Sequence, residues 1–282
     1  MFNLVFMNQA LASFGTVLPV PSDYMADLVA AKIVTYIYYV LNVAVIPYLF
    51  YRVVKKQDWV PILLWLGGFI CSFSEATLDI PTHLWWPTNL PGPLYQAYGV
   101  NIPYFVPLAY AFNLSMVSYF IYRWIERGVT VKKFFYLWIA ITVIYPFLEF
   151  PATHTGVYKY YGDQPFMLGG FACWQSWTNV TGFIFLAFLL WLFNPMLQGW
   201  KKVVILFLPV FGLLGGWGMV AWPNFIALNF HGPFGEFSHN GKLLLSTFSL
   251  VLCLIVAQGI AVLVATDSRW QIKHESRASK SS

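Results

Sequence analysis

Apolar residues in this chain fall into long unbroken runs, without the two-residue alternation of half-buried strands or the one-sided stripe of surface helices. A helix needs about 20 mostly apolar residues to cross a bilayer core, and seven runs meet that length. They are Leu28–Tyr51, Trp59–Ile80, Ile102–Trp124, Phe134–Phe150, Leu168–Phe193, Val203–Trp222 and Leu243–Ala265. The fourth is shortest and has a further turn available in Val131–Lys133. Placing the connections on alternating sides collects Arg52, Lys55, Lys56, Arg123, Arg127, Lys132, Lys133, Lys201, Lys202, Arg269, Lys273, Arg277 and Lys280 on one face, thirteen of the sixteen basic residues. Only Lys32, Lys159 and Lys242 remain on the other. The positive-inside rule makes the rich face cytoplasmic, the N-terminus outside or lumenal, and the C-terminus inside. An even number of spans would scramble that partition. The predicted fold is an all-α, polytopic seven-transmembrane-helix bundle.

Composition agrees. Of 282 residues, 59% are hydrophobic, 20% aromatic and 10% charged, against roughly 25% charged in a soluble domain. The formal charge of +5 is read as a topology signal, and no basic stripe points to nucleic acid. Cys71, Cys173 and Cys253 are widely spaced within apolar runs, which suggests neither a disulfide framework nor a zinc site. Residues 1–267 read as one transmembrane domain. Its segment 1–24 lacks a basic n-region and carries Pro19 and Pro21, so it is expected to lie against the membrane or the outer loops. Residues 268–282, rich in Ser, Lys and Arg, read as a disordered cytoplasmic tail. The sequons at Asn113 and Asn179 fall inside spans, and no repeat or second domain is visible.

The cytoplasmic loops are short and basic. The outer loops, Pro81 to Asn101, Pro151 to Phe166 and Pro223 to Lys242, are longer and rich in Pro, Gly and aromatics, as suits a structured cap. Most of the chain's uncommon chemistry gathers here. Glu75 and Asp79 are four apart, so one helical face carries both at the outer end of the second span. Glu149 ends the fourth span, and Asp163 and Glu236 lie in the cap with His83, His154, His231 and His239. A carboxylate within a span costs about 2.5–3.5 kcal/mol even on the lenient insertion scale, so it must face a partner, water or an interior. Repulsion between neighbouring acids favours one protonated and one ionised carboxyl, the makings of an acid/base pair. A structural polar contact or a hydrated helix end is the plainer alternative for each acid, and a loop position for each His taken singly. No HExxH-like spacing suggests a metal, and no cofactor is expected.

Trp85, Trp86, Trp174, Trp177, Trp217 and Trp222 fall toward the outer half, below Tyr158, Tyr160 and Tyr161. An interfacial aromatic belt explains any one of them. A pocket whose ring faces stabilise a cation, by about 0.5–2 kcal/mol each, explains several together. Trp174, Gln175, Trp177 and Asn179 lie too deep to be all belt, and their amides need a neighbouring helix or a ligand.

Six stretches, Glu75 to Asp79, Trp85-Trp86-Pro87, Tyr98 to Pro103 (with Asn101), Glu149-Phe150-Pro151, Gly156 to Pro165 and Ala221-Trp222-Pro223, resemble the AveC-type spirocyclase family, small polytopic proteins of polyketide pathways. The likeness runs in order from about Trp59 to Asn229. It implies dehydrative spiroketal formation on a lipophilic polyketide, and it carries no residue assignments. That chemistry needs an acid for the departing hydroxyl, a base for the attacking one and a negative charge or ring face for an oxocarbenium ion. Glu75, Asp79, Glu149 and His154 are the expected catalytic residues. Trp86, Asn101, Tyr161, Asp163, Trp177, Asn179 and Trp222 are expected to line the substrate site. The expected partner is a lipophilic small molecule within membrane lipid, not nucleic acid. A terpene cyclase that protonates an alkene or epoxide makes similar demands. A proton-coupled transporter would use the same acids as a relay, but no repeat pair or broken-helix pair is seen. A retinal receptor would need a lysine in the last span, and Leu243–Ala265 has none.

Overall fold

The computed structural model describes residues 19–230 and 236–267, and the expected tail and most of the N-terminal segment lie outside them, as does His231. Among the described residues seven helices are long and apolar enough to cross a membrane: α1 (Leu28–Lys56), α2 (Val60–Thr82), α3 (Phe105–Ile125), α4 (Val131–His154), α5 (Trp174–Met196), α6 (Gly199–Val220) and α8 (His239–Ala265). The protein is a multi-pass helical bundle. The short helix α7 (Trp222–Asn229) sits in an outer connection expected to be a loop.

The ends of the spans segregate as the charges require. At the basic end Arg52 pairs with Asp58, which also accepts from the Tyr119 hydroxyl at 3.1 Å, and Asn194 Nδ2 donates to Tyr122 Oη at 2.8 Å. At the other end Ala26 N donates to Asn89 Oδ1 at 2.8 Å, and His83 Nε2 lies 3.0 Å from Asn229 Oδ1. Tyr24 packs on this outer side too, with the Lys159 ammonium 4.7 Å from its ring centre.

Several boundaries move for local reasons. α4 takes the spare turn at Val131, capped by the Thr130 side chain, and continues to His154. α3 starts at Phe105, beyond Pro103, because Val100–Ile102 pairs as strand β3 with β2 (Tyr95–Ala97). Leu168 belongs to a hairpin of β5 (Met167–Leu168) and β6 (Phe171–Ala172), turned by Gly169 and Gly170 at φ +57° and +82°. Only glycine adopts two such angles in succession at little cost. α8 starts a turn early, capped by Ser238, and so includes Lys242, whose ammonium is 3.3 Å from Asp163 Oδ2 in the helix's first turn.

Two helices change gauge beside the acids. α2 tightens to a 3₁₀ turn at Ser72–Ser74 just before Glu75, with the Ser72 and Ser74 hydroxyls donating back to the Phe69 and Cys71 carbonyls, each at 2.7 Å. α3 widens to a π-helical stretch at Tyr110–Met116. Extra-wide turns re-aim side chains and recur at functional sites. Behind them α5 and α6 meet over Gly182, Gly212 and Gly216, where small residues let the backbones touch.

The cap closes on strand β1 (Leu84–Trp85), which follows His83, the left-handed end of α2 at φ 55°, and pairs antiparallel with β4 (Lys159–Tyr160). Gln164, 4% exposed, staples it: its Nε2 donates to the Thr82 and Tyr161 carbonyls at 2.9 and 3.1 Å, and its Oε1 accepts from Trp174 Nε1 at 3.0 Å.

Candidate functional site

Glu75, Asp79 and Glu149 line one cavity of about 370 Å³ in the outer half of the bundle. Spacing on α2 explains the first two, since residues four apart share a helical face. Glu149 comes from α4 on the far side. Each acid meets a neutral donor. The Tyr110 hydroxyl donates to Glu75, Trp86 Nε1 donates to Asp79 Oδ2 at 2.8 Å, and the Tyr158 hydroxyl donates to Glu149. Among the described residues no lysine, arginine or histidine lines the cavity.

The opposite wall comes from α5 and α6. Asn179 Nδ2 donates to Tyr145 Oη, and its Oδ1 accepts from Trp217 Nε1, both at 3.1 Å. Its amide therefore finds partners on α4 and α6 while still lining the cavity. Gln175, one turn earlier, is buried and also lines it, and its Nε2 has no hydrogen-bond partner among the described residues. Tyr38 of α1 accepts from Asn113 Nδ2 at 2.8 Å. The roof is Leu84, Trp86, Tyr158 and Tyr160, all buried. Burial first, and then the charges of Glu149, Asp79 and Glu75, hold the Tyr160 hydroxyl well above the usual tyrosine range. Burial and then the Glu149 charge do the same for Tyr158. Both phenols stay protonated, and Tyr158 donates to Glu149.

Of the expected site residues, Glu75, Asp79, Glu149, Trp86 and Asn179 meet here, and the others lie elsewhere. Trp177 is two residues from both Gln175 and Asn179, about 200° around the helix, and packs on Phe166 with ring centres 5.6 Å apart. His154 is five residues past Glu149, about 140° away, and is exposed. Trp222 opens α7, is 41% exposed and meets Phe248 edge-on at 5.8 Å, an interfacial position. Asn101 pairs with Gln96 in the hairpin, on the opposite strand face to buried Val100 and Ile102. Strand alternation likewise turns Tyr158 and Tyr160 inward and Tyr161 away, so Tyr161 stacks on His83 at 5.0 Å. Burial, then the charge of Asp79, pushes the Tyr161 hydroxyl up to about 12. Asp163 is half-exposed in the cap and 2.7 Å from His239 Nδ1.

The sequence reading missed Tyr38, Tyr110, Asn113 and Tyr145. Tyr145 and Glu149 are four apart on α4, the signal that linked Glu75 with Asp79, so Tyr145 was open to the same argument. Tyr110 carried no comparable signal, because its aim depends on the π-helical stretch. Among the described residues no group of three or more His, Cys, Asp or Glu is arranged to hold a metal ion. No protein-family model, curated protein or solved structure matches this chain.

Proposed function

We propose that the protein is a membrane cyclase that closes a ring in a lipophilic polyketide or terpenoid by acid/base chemistry. The observation that carries this reading is the set of three carboxyl groups in one aromatic-walled cavity, each held by a neutral donor and none by a cation. A volume near 370 Å³ falls in the range of small-molecule sites, about 300–1,000 Å³.

For spiroketal closure, a protonated carboxyl gives its proton to the hydroxyl of a hemiketal, the C–O bond breaks and water leaves. The remaining oxocarbenium ion is stabilised by the ionised carboxylate and by the ring faces of Trp86 and Trp217. The substrate's second hydroxyl oxygen attacks the cationic carbon, and its proton passes to the carboxylate. Proton exchange between the two carboxyls restores the starting state. Glu75 and Asp79 form the acid/base pair, and Glu149 with Asn179 places the polar end of the substrate. The buried roof limits competing attack by bulk water. The resemblance to AveC-type spirocyclases supports this chemistry over its nearest alternative, protonation of an alkene or epoxide by the same acid. A proton-coupled transporter shares the carboxyls but gives no use to the Trp and Tyr faces around them.

The test uses purified protein and a synthetic long-chain dihydroxyketone, with loss of water followed by mass spectrometry. Glu75→Gln and Asp79→Asn should each lower the rate about 10²- to 10⁴-fold, the usual share of a positioned acid or base. Undiminished turnover in both variants would reject the assignment. Acid-dependent flux in proteoliposomes, without any product, would favour transport.

A further inference from the structure

The cavity is unevenly walled. Toward the outer aqueous side its lining is buried: Thr82, Leu84, Trp86, Tyr158 and Tyr160 close it beneath the β1–β4 pair. Between α1 and α4 the lining reaches the outer surface of the bundle, where Ile37 is 51% and Leu148 58% exposed. These two helices are the least buried of the seven, at 22% and 17%. Bilayer lipid is as apolar as leucine, so no hydrophobic force presses such helices together. α1 is instead anchored away from α4 by buried Asn42, which donates to the Leu108 carbonyl of α3 at 3.0 Å and accepts from Trp65 Nε1 of α2 at 2.7 Å. At about 1.5 Å per residue, Ile37 lies roughly 14 Å below the outer end of α1 and Leu148 about 9 Å below that of α4, both within the outer leaflet. Glu149 adjoins Leu148 and is half-buried at the inner edge of this gap.

We infer that the gap between α1 and α4 is a lateral portal through which the ligand comes from the outer leaflet. The inference rests on reading the cavity as a small-molecule site, and it specifies the class: a slender amphiphile with an apolar body and a hydroxyl-bearing end. Its body passes Ile37 and Leu148, and its polar end meets Glu149 before reaching Glu75 and Asp79. A water-soluble ligand delivered through the cap would have to pass the stapled, buried roof.

A long-chain alcohol carrying a mid-chain diazirine, photolysed with the full-length protein in phosphatidylcholine nanodiscs, tests this by peptide mapping. Label is expected on the buried lining residues Leu78, Phe183 and Leu213, as well as on the lipid-facing Phe211 and Ile255. With photolysis soon after probe addition, Ile37→Trp and Leu148→Trp should lower the cavity label about tenfold, equal to about 1.4 kcal/mol of added barrier. The label on Phe211 and Ile255 should not change and reports an intact bundle. Ile37→Ala and Leu148→Ala widen the gap and should raise the cavity label. Cavity label that is absent in the parent protein, or indifferent to all four substitutions, would overturn the portal. Because the probe does not react with the acids, portal-gated labelling alongside full turnover in the carboxylate variants would retain the portal and reject the acid/base assignment.

Discussion

Replacing Gly216 by Ala should separate the two helices that carry the cavity's rigid wall. A Cβ at Gly216 would lie 2.7 Å from Gly182 Cα and 3.2 Å from Gly182 N. The first is 0.7 Å short of the 3.4 Å where ordinary contact begins, and the obstacle is backbone that no rotamer change can move. Overpacking of this kind costs about 1–3 kcal/mol. Shifting α6 outward by the same 0.7 Å would also stretch the 3.1 Å Trp217–Asn179 hydrogen bond beyond 3.5 Å, a loss of about 0.5–1.5 kcal/mol. Alanine's better helix propensity returns at most about 1 kcal/mol. The net expectation is a destabilisation of about 0.5–4.5 kcal/mol, which in a chain of this size lowers Tm by about 2–4 °C per kcal/mol. Thermal unfolding in detergent micelles, followed by tryptophan fluorescence, reads this directly, with Trp217 beside the perturbation. Gly218, two residues on, has nothing within 4 Å of its would-be Cβ, so Gly218→Ala controls for propensity and should be neutral or slightly stabilising. Equal Tm values for the two variants would refute the close approach of α5 and α6 and, with it, the placement of Asn179 in the wall.

Gln164→Leu should loosen the cap, because it strands the Thr82 and Tyr161 carbonyls and Trp174 Nε1 together; a loss of at least about 2 kcal/mol is expected by chemical unfolding, along with faster amide exchange in β1 and β4. Burial tends to raise the Asp163 carboxyl pKa, but the His239 hydrogen bond and the Lys242 charge outweigh it and hold the pKa below the usual aspartate value. A depressed carboxyl stabilises the fold above its unfolded pKa, near 3.9, and that contribution fades as pH falls through the lower folded value. The Tm of the parent protein should therefore drop more steeply below about pH 4 than that of Asp163→Asn. The difference should stay under about 1 kcal/mol because the aspartate side chain is 46% exposed.

The bundle was legible because its signals are local and redundant: run length sets each span, and the Lys and Arg residues near span ends set the alternation. The same locality explains the boundary errors. Leu168 is as apolar as a span residue, and only the Gly169–Gly170 turn makes it part of a hairpin. Trp222 has the composition of α6 but follows its last turn, so it faces Phe248 and the interface. For the site, spacing along one helix was informative and proximity in sequence was not. Glu75, Asp79, Glu149 and Asn179 are legible by polarity within apolar runs, which is expensive and therefore visible, and Trp86 by its place among the outer aromatics. His154 reads as a proton carrier and Tyr161 as one of the outer aromatics, but helical angle and strand alternation turn both away. Tyr110 is polar only at its tip and reads as belt, so nothing local marks it as the donor to Glu75.

The partners of the acids separate structure from chemistry. Three acids outside the cavity are each paired with a cation: Asp58 with Arg52, Glu126 with Arg123, and Asp163 with Lys242; exposed Asp27 instead caps α1 by accepting from Val29 N and Ala30 N. Among the described residues the three cavity acids meet phenol and indole donors and no cation. A neutral donor fixes the direction of a carboxyl but leaves any charge it carries uncompensated, and an uncompensated charge inside the bundle is a cost to the fold. Leucine or glutamine at positions 75, 79 and 149 would fill the same space at lower cost. The acids are therefore best explained by something that comes and goes: a proton, or a ligand that becomes positive while bound. A cationic ligand present from the start would satisfy the charges but would cross the apolar gap past Ile37 and Leu148 with difficulty. A neutral amphiphile that turns cationic only after reaching Asp79 and Trp86 meets both constraints, which favours chemistry at this site over simple binding of an ion.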